Sequence, residues 1–203
     1  MNSLLKSLTE TYKASVEEFV SKLSVKLHVD EKEILDVWNE NVDAPLCIQS
    51  NSFIPDYYVY TDGSCYNNGK KNSVAGIGLY FGKNDVRNVS RKIKGKQSNN
   101  TAELSAILEL YKIIEKDISR GKKIGIVSDS QYAIWCATSY GKKCEENQWK
   151  KSIPNKELVR EIYEHYKDKP TVKFIHIMSH TNNTDIHSIG NSQADLLANK
   201  AIE

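Results

Sequence analysis

Tyr58-Val59-Tyr60-Thr61-Asp62-Gly63-Ser64-Cys65 is an aromatic and β-branched run that breaks on an acidic residue followed by glycine. Such a run predicts a strand, Tyr57 to Asp62, that delivers one carboxylate to the edge of a sheet. Asp-Gly is also the commonest turn pair, so on this stretch alone the plainer expectation is a strand end with a turn behind it. The company that Asp62 keeps further along the chain alters that balance.

Downstream, Val74 to Phe81 alternates Ala75, Ile77 and Leu79, and Asp85 to Ile93 gives a weaker third strand. Turn signals and short connections predict an antiparallel meander. Asn100 to Ile118 carries Leu104, Ile107, Leu108, Tyr111, Ile114 and Ile118 on one helical face and stops near Gly121. Lys123 to Ser128 is a short apolar strand, which a strand, helix, strand crossover places parallel in the same sheet. Helical spacing returns at Ser130 to Ser139 and Asn155 to Tyr166, separated by a lysine-containing insert with Trp149 and Pro154. Thr171 to Met178 is expected as a fifth strand and Ser188 to Ile202 as a final helix. The fold class is therefore α/β, a five-stranded mixed sheet with three antiparallel and then two parallel strands, flanked by helices.

Upstream, Leu5, Leu8, Tyr12, Val16, Phe19, Val20, Leu23 and Leu27 recur every three or four positions, and Asp30 with Glu33 resembles a capping box ahead of Ile34, Leu35 and Trp38. Residues 1–40 are thus expected as a small helical module that docks a protein partner or adds nucleic-acid contact. Residues 41–56, with Pro45 and Pro55, have the composition of a linker, which leaves 57–203 for the main domain. The chain has 203 residues, 39% of them hydrophobic, enough for one ordinary core and an appendage. Its net charge is +2, from 28 Lys and Arg against 26 Asp and Glu, so any nucleic-acid role must come from local patches. Cys47, Cys65, Cys136 and Cys144 are scattered without zinc spacing, and no apolar run is long enough for a signal peptide or membrane span. These features lead to the expectation of a soluble intracellular protein, cytoplasmic or nuclear, with free thiols.

Four carboxylates fall at element ends, and elements so placed can converge at one end of a sheet. They are Asp62, Glu103 in the first turn of the first core helix, Asp129 after the fourth strand and Asp195 in the last helix. Singly each has a plain explanation, as a capping residue, an N-cap or surface polarity.

Together they match an ordered signature. Thr61-Asp62-Gly63-Ser64-Cys65, Ser98-Asn99-Asn100-Thr101-Ala102-Glu103-Leu104, Ser128-Asp129-Ser130-Gln131-Tyr132, His180, and Gly190-Asn191-Ser192-Gln193-Ala194-Asp195-Leu196-Leu197-Ala198 follow the order and approximate spacing of type 1 ribonucleases H. The chain resembles that family from about Tyr57 to Ile202, and its helical extension is similar to those of enzymes from large DNA viruses. The resemblance implies an RNase H-like fold and an endoribonuclease that cuts the RNA strand of RNA/DNA hybrids, leaving a 3'-hydroxyl and a 5'-phosphate. It also implies two divalent cations, Mg2+ with Mn2+ able to substitute, held by Asp62, Glu103, Asp129 and Asp195, with Asp62 bridging both. His180 matches the mobile-loop histidine that moves a proton or helps product leave.

By the same resemblance, Asn68, Asn99, Asn100 and Gln131 contact the RNA or its neighbouring sugar. Ser98 and Asn155 fall where related enzymes bind a DNA phosphate. Gly141 to Lys151, with Trp149, is similar to the family's basic protrusion along the DNA backbone, although Glu145 and Glu146 dilute its charge. Lys83, Arg87, Arg91, Lys92, Lys94 and Lys96 form a second basic run. Two departures stand out: nine residues from Thr181 to Ile189 lengthen the loop and bring His187 as a rival to His180, and Ser192 stands where many relatives carry glutamate. The alternatives left open are a non-catalytic hybrid-binding protein and a related acid-cluster nuclease or integrase acting on DNA.

Overall fold

The computed structural model describes residues 53–179 and 185–203. The helical module of residues 1–40, most of the linker and His180 lie outside the described residues. The sheet comprises β1 (Tyr57–Tyr66), β2 (Val74–Tyr80), β3 (Val89–Lys92), β4 (Ile124–Ser128) and β5 (Val172–His176) in the order β3-β2-β1-β4-β5. Antiparallel pairing joins β1 to β2 and β2 to β3, whereas β4 runs parallel to both β1 and β5. This is the expected five-stranded mixed sheet. The interior strand β4, between β1 and β5, is buried at every position, as a strand covered on both faces must be.

The helices are α1 (Asn99–Ser119), α2 (Gln131–Ala137), α3 (Ser139–Glu146), α4 (Lys156–Tyr166) and α5 (Ile186–Lys200). The larger core forms where Leu104, Ile107, Leu110 and Ile114 of α1 meet Val59, Ile77, Leu79, Ile124 and Ile126 of the sheet, with Val159 and Ile162 of α4 behind them. A smaller cluster of Tyr60, Val127 and Ala194 lies where α5 covers the other face. β2 turns Gly76 and Gly78 towards α5, and a Cβ on Gly78 would strike the Ala194 carbonyl oxygen. The absence of side chains at these two positions lets the helix rest on the strand backbone.

Several boundaries differ from expectation, each for a local reason. β1 does not end at Asp62 but continues to Tyr66, so Asp62-Gly63 is strand and not turn. Gly63 is needed because a Cβ there would strike the Glu103 backbone nitrogen at the start of α1. The third strand is only Val89–Lys92. Ahead of it, Asn88 closes a turn by accepting from Phe81 N at 2.8 Å and donating to the Gly82 carbonyl at 2.8 Å. The lysine-containing insert holds a helix of its own, α3. α1 starts at Asn99, one residue earlier than expected, because the Ser98 hydroxyl caps it by accepting from Thr101 N.

Candidate active site

The parallel register sets the site. Thr61 pairs with Ser128 across β1 and β4, so Asp62 and Asp129 are the next residue on each strand at the same sheet end. Glu103 comes from the second turn of α1, one turn later than expected because the helix already starts at Asn99, and its backbone closes onto Gly63, while Asp195 comes from α5. One carboxylate oxygen each from Asp62, Glu103 and Asp129 lie within 4.8 Å of one another. Asp195 stands outside that triad but lines the same cleft of about 440 Å³, together with Ser64, Asn99, Asn100 and Asn191.

Burial makes this concentration of charge costly. Asp62 is 6% exposed, and Glu103 Oε2 is sealed from solvent without a hydrogen-bond partner. Burial foremost, then the charges of Asp129 and Asp195, pushes Asp62 up to about 7. Burial, followed by Asp62 and Asp129, holds Glu103 well above the usual carboxylate range, while a hydrogen bond from the Gly63 backbone opposes the shift on both acids. Asparagine amides hold the other two acids: Asn191 Nδ2 donates to Asp129 Oδ2 at 3.1 Å, and Asn199 Nδ2 donates to Asp195 Oδ1 at 3.0 Å. A donor set made only of oxygens, with a buried carboxylate oxygen lacking any partner, fits a hard divalent cation rather than zinc.

The other residues singled out in the sequence are distributed around this centre. Asn99 and Asn100 sit on the cleft wall at the start of α1. Asn68 accepts from Asn99 N at 3.2 Å and so ties its loop to that helix end. Gln131 opens α2, two residues past Asp129. Asn155 precedes α4 in the left-handed region (φ 55) and accepts from Lys96 Nζ at 3.3 Å. That link puts Lys96, Ser98 and Asn155 in one neighbourhood. The Ser98 hydroxyl is already engaged by Thr101 N and Thr101 Oγ1, and Lys96 is the charged member of the three.

Trp149 requires a correction. Gln148 and Trp149 both adopt left-handed backbone (φ 54 and 55), which reverses the chain after α3 and turns the indole inward. The ring is 8% exposed and packs 6.5 Å from the Tyr163 ring, so it is a core residue and not a surface ring for a DNA backbone. His187 lies in the first turn of α5 with its ring 4.7 Å from Tyr58 and 6.0 Å from Tyr60, among aromatic residues and not on the cleft wall. Sequence reasoning missed Ser64, Asn191 and Asn199 as supports of the acids. The only available signal for Asn199 was its spacing, four residues after Asp195 on a helix.

The RNase H family's sequence profile matches residues 55–203. The chain is 34% identical over 142 residues to a probable ribonuclease H of Acanthamoeba polyphaga mimivirus, covering 67% of this chain and 62% of that protein. It is 37% identical over 147 residues to a ribonuclease H of Schizosaccharomyces pombe, covering 70% of this chain and 51% of that protein. The matched region thus spans about half to two thirds of these curated relatives. Among solved structures, the PFV RNase H domain is similar at a TM-score of 0.57 and 22% identity, covering 73% of this chain and 94% of that one, which bears on the fold.

Proposed function

The chain belongs to the RNase H family, and on that premise we propose that it is an endoribonuclease that hydrolyses the RNA strand of RNA/DNA hybrids, giving 3'-hydroxyl and 5'-phosphate ends. The observation that carries this reading is the convergence of four carboxylates from four separate elements on one cleft whose wall bears Asn99 and Asn100. Divalent metal dependence follows from the family and fits the acidic triad. Bound at the acids, two magnesium ions, or manganese in their place, would supply charge neutralisation and an activated water for in-line displacement at the scissile phosphate.

The protein's own contribution is placement. Asp62, Glu103 and Asp129 would hold one side of the site and Asp195 the other, with Asp62 shared. The rigid β1–β4 ladder and the two asparagine amides fix carboxylate directions before substrate arrives. Asn99 and Asn100 present amides where a 2'-hydroxyl in the shallow minor groove could be sensed, supported by Asn68, and Gln131 stands beside Asp129 for the neighbouring sugar. His180, by its place in the motif series, is proposed to move a proton or help product leave. Ser98 and Asn155, at the positions where related enzymes bind a DNA-strand phosphate, are proposed to do so here, with Lys96, which donates to Asn155, adding its charge.

The direct test is a labelled RNA/DNA hybrid with magnesium. Cuts confined to the RNA strand, with 3'-hydroxyl ends, support the proposal. Binding without cleavage would replace it by a non-catalytic hybrid binder, and equal cutting of duplex DNA would replace it by an acid-cluster DNA nuclease. For the phosphate contact, Lys96→Ala should weaken hybrid binding and lower the slope of log K against log salt by about one. An unchanged salt slope would remove Lys96 from the interface.

A further inference from the structure

Asp195 is the one acid outside the tight triad, and a hydrogen-bonded relay secures it. Ser64, two residues past Asp62 on β1, donates its hydroxyl to Asn199 Oδ1 at 2.5 Å, and Asn199 Nδ2 donates to Asp195 Oδ1 at 3.0 Å. Asn199 lies one helical turn beyond Asp195, so its amide sits on the same side of α5. The relay also defines which way the amide points, because the reversed orientation would set a carbonyl oxygen against the carboxylate. With Oδ1 held by the amide, Oδ2 is the oxygen left to face the cleft that Asp195 lines.

We infer that Asn199, braced by Ser64, is a positioning residue that fixes the rotamer of Asp195 and thereby sets the divalent-cation affinity on the Asp195 side of the cleft. The inference rests on the metal-dependent reading given above. Physically, a side chain with two rotatable bonds and no partner must be ordered when a cation binds, whereas one already held by a hydrogen bond has lost that freedom. The same relay links β1, which carries Asp62, to α5, which carries Asp195, so the two acids keep a common frame. A relay that served only to bind helix to sheet would affect folding and leave cation affinity alone.

The experiment measures manganese binding to the free full-length protein by calorimetry, alongside the magnesium dependence of hybrid cleavage. Asn199→Ala should raise the manganese Kd and the magnesium midpoint together by about tenfold to a hundredfold, with the hybrid KM at saturating magnesium unchanged. Ser64→Ala should move both in the same direction by less. If Asn199→Ala fails to fold, the Ser64→Ala manganese Kd decides the question. Wild-type manganese affinity and magnesium midpoint in the variant, with only its metal-free Tm lowered, would overturn the inference and leave Asn199 a structural tie. A wild-type protein that neither binds manganese nor cuts the hybrid would remove the functional reading as well.

Discussion

Asp62→Asn is expected to lower hybrid cleavage by at least about two decades and, in the same variant, to make the metal-free protein more stable. Both outcomes come from one geometry. Asp62 is the buried acid on the central ladder, and Glu103 and Asp129 crowd it within 4.8 Å. Its pKa is raised to about 7 from an ordinary 3.8, so the unfolded chain gives up this proton in a range where the folded chain retains it. Without metal, stability therefore falls as pH rises from about 4 towards 7, and the full penalty, on the order of 4 kcal/mol as an upper bound, applies above that. Asparagine cannot ionise, so the variant escapes the penalty at pH 8 and gains little at pH 4.

Divalent cations should relieve the same penalty in the wild type. Magnesium is expected to raise its Tm more at pH 8 than at pH 6, because at pH 6 protons compete for Asp62, and the response should shrink in Asp62→Asn. Thermal unfolding at pH 6 and pH 8, with magnesium and with chelator, checks the cation effect, and urea unfolding of the metal-free proteins at pH 4 and pH 8 checks the penalty. A metal-free Asp62→Asn protein no more stable than wild type at pH 8 would mean that the acids are not strained. Full cleavage by the variant would remove Asp62 from the chemistry.

The second large effect belongs to a residue that bears no chemistry. Gly78→Ala should cost about 1–3 kcal/mol or more and reduce cleavage severalfold beyond the loss of folded protein. Its new Cβ would meet the backbone of Ala194 and Ala198, which cannot swing aside as a flexible side chain can. α5 must then lift from β2 and carry Asp195 with it. Displacements of about 1 Å at a catalytic group can cost about a hundredfold in rate. Denaturant midpoints and cleavage rates per folded molecule test this, and a variant with wild-type values for both would show that α5 is free to adjust.

The sequence revealed the sheet and the acids for different reasons. Strand and helix periods in β2, α1, β4 and α4 come directly from which side chains are buried, so they were readable residue by residue. The four acids became visible only through the order of their motifs, since each alone passes for a cap or a turn. Gly63 was misjudged because a turn glycine and a glycine required by a close backbone approach have the same letter, and the second depends on where α1 lands. Helix α3 was hidden by its polar run of Lys142, Lys143, Glu145 and Glu146. Trp149 turned inward through left-handed backbone at residues that are not glycine, which no local signal announces. The bonds from Lys96 to Asn155 and from Ser64 to Asn199 join residues 59 and 135 positions apart, so only the folded chain displays them.

The β1–β4 ladder also sorts the chain by its tolerance to changes in length. Both carboxylates follow directly after its final rung, Thr61 with Ser128, so deleting one residue within either strand would retract one acid by about 3.3 Å relative to the other and flip it to the opposite face. Metal coordination accepts errors of about 0.2 Å. The ladder therefore acts as a ruler without slack, whereas the turn between β2 and β3 can vary in length without moving either acid.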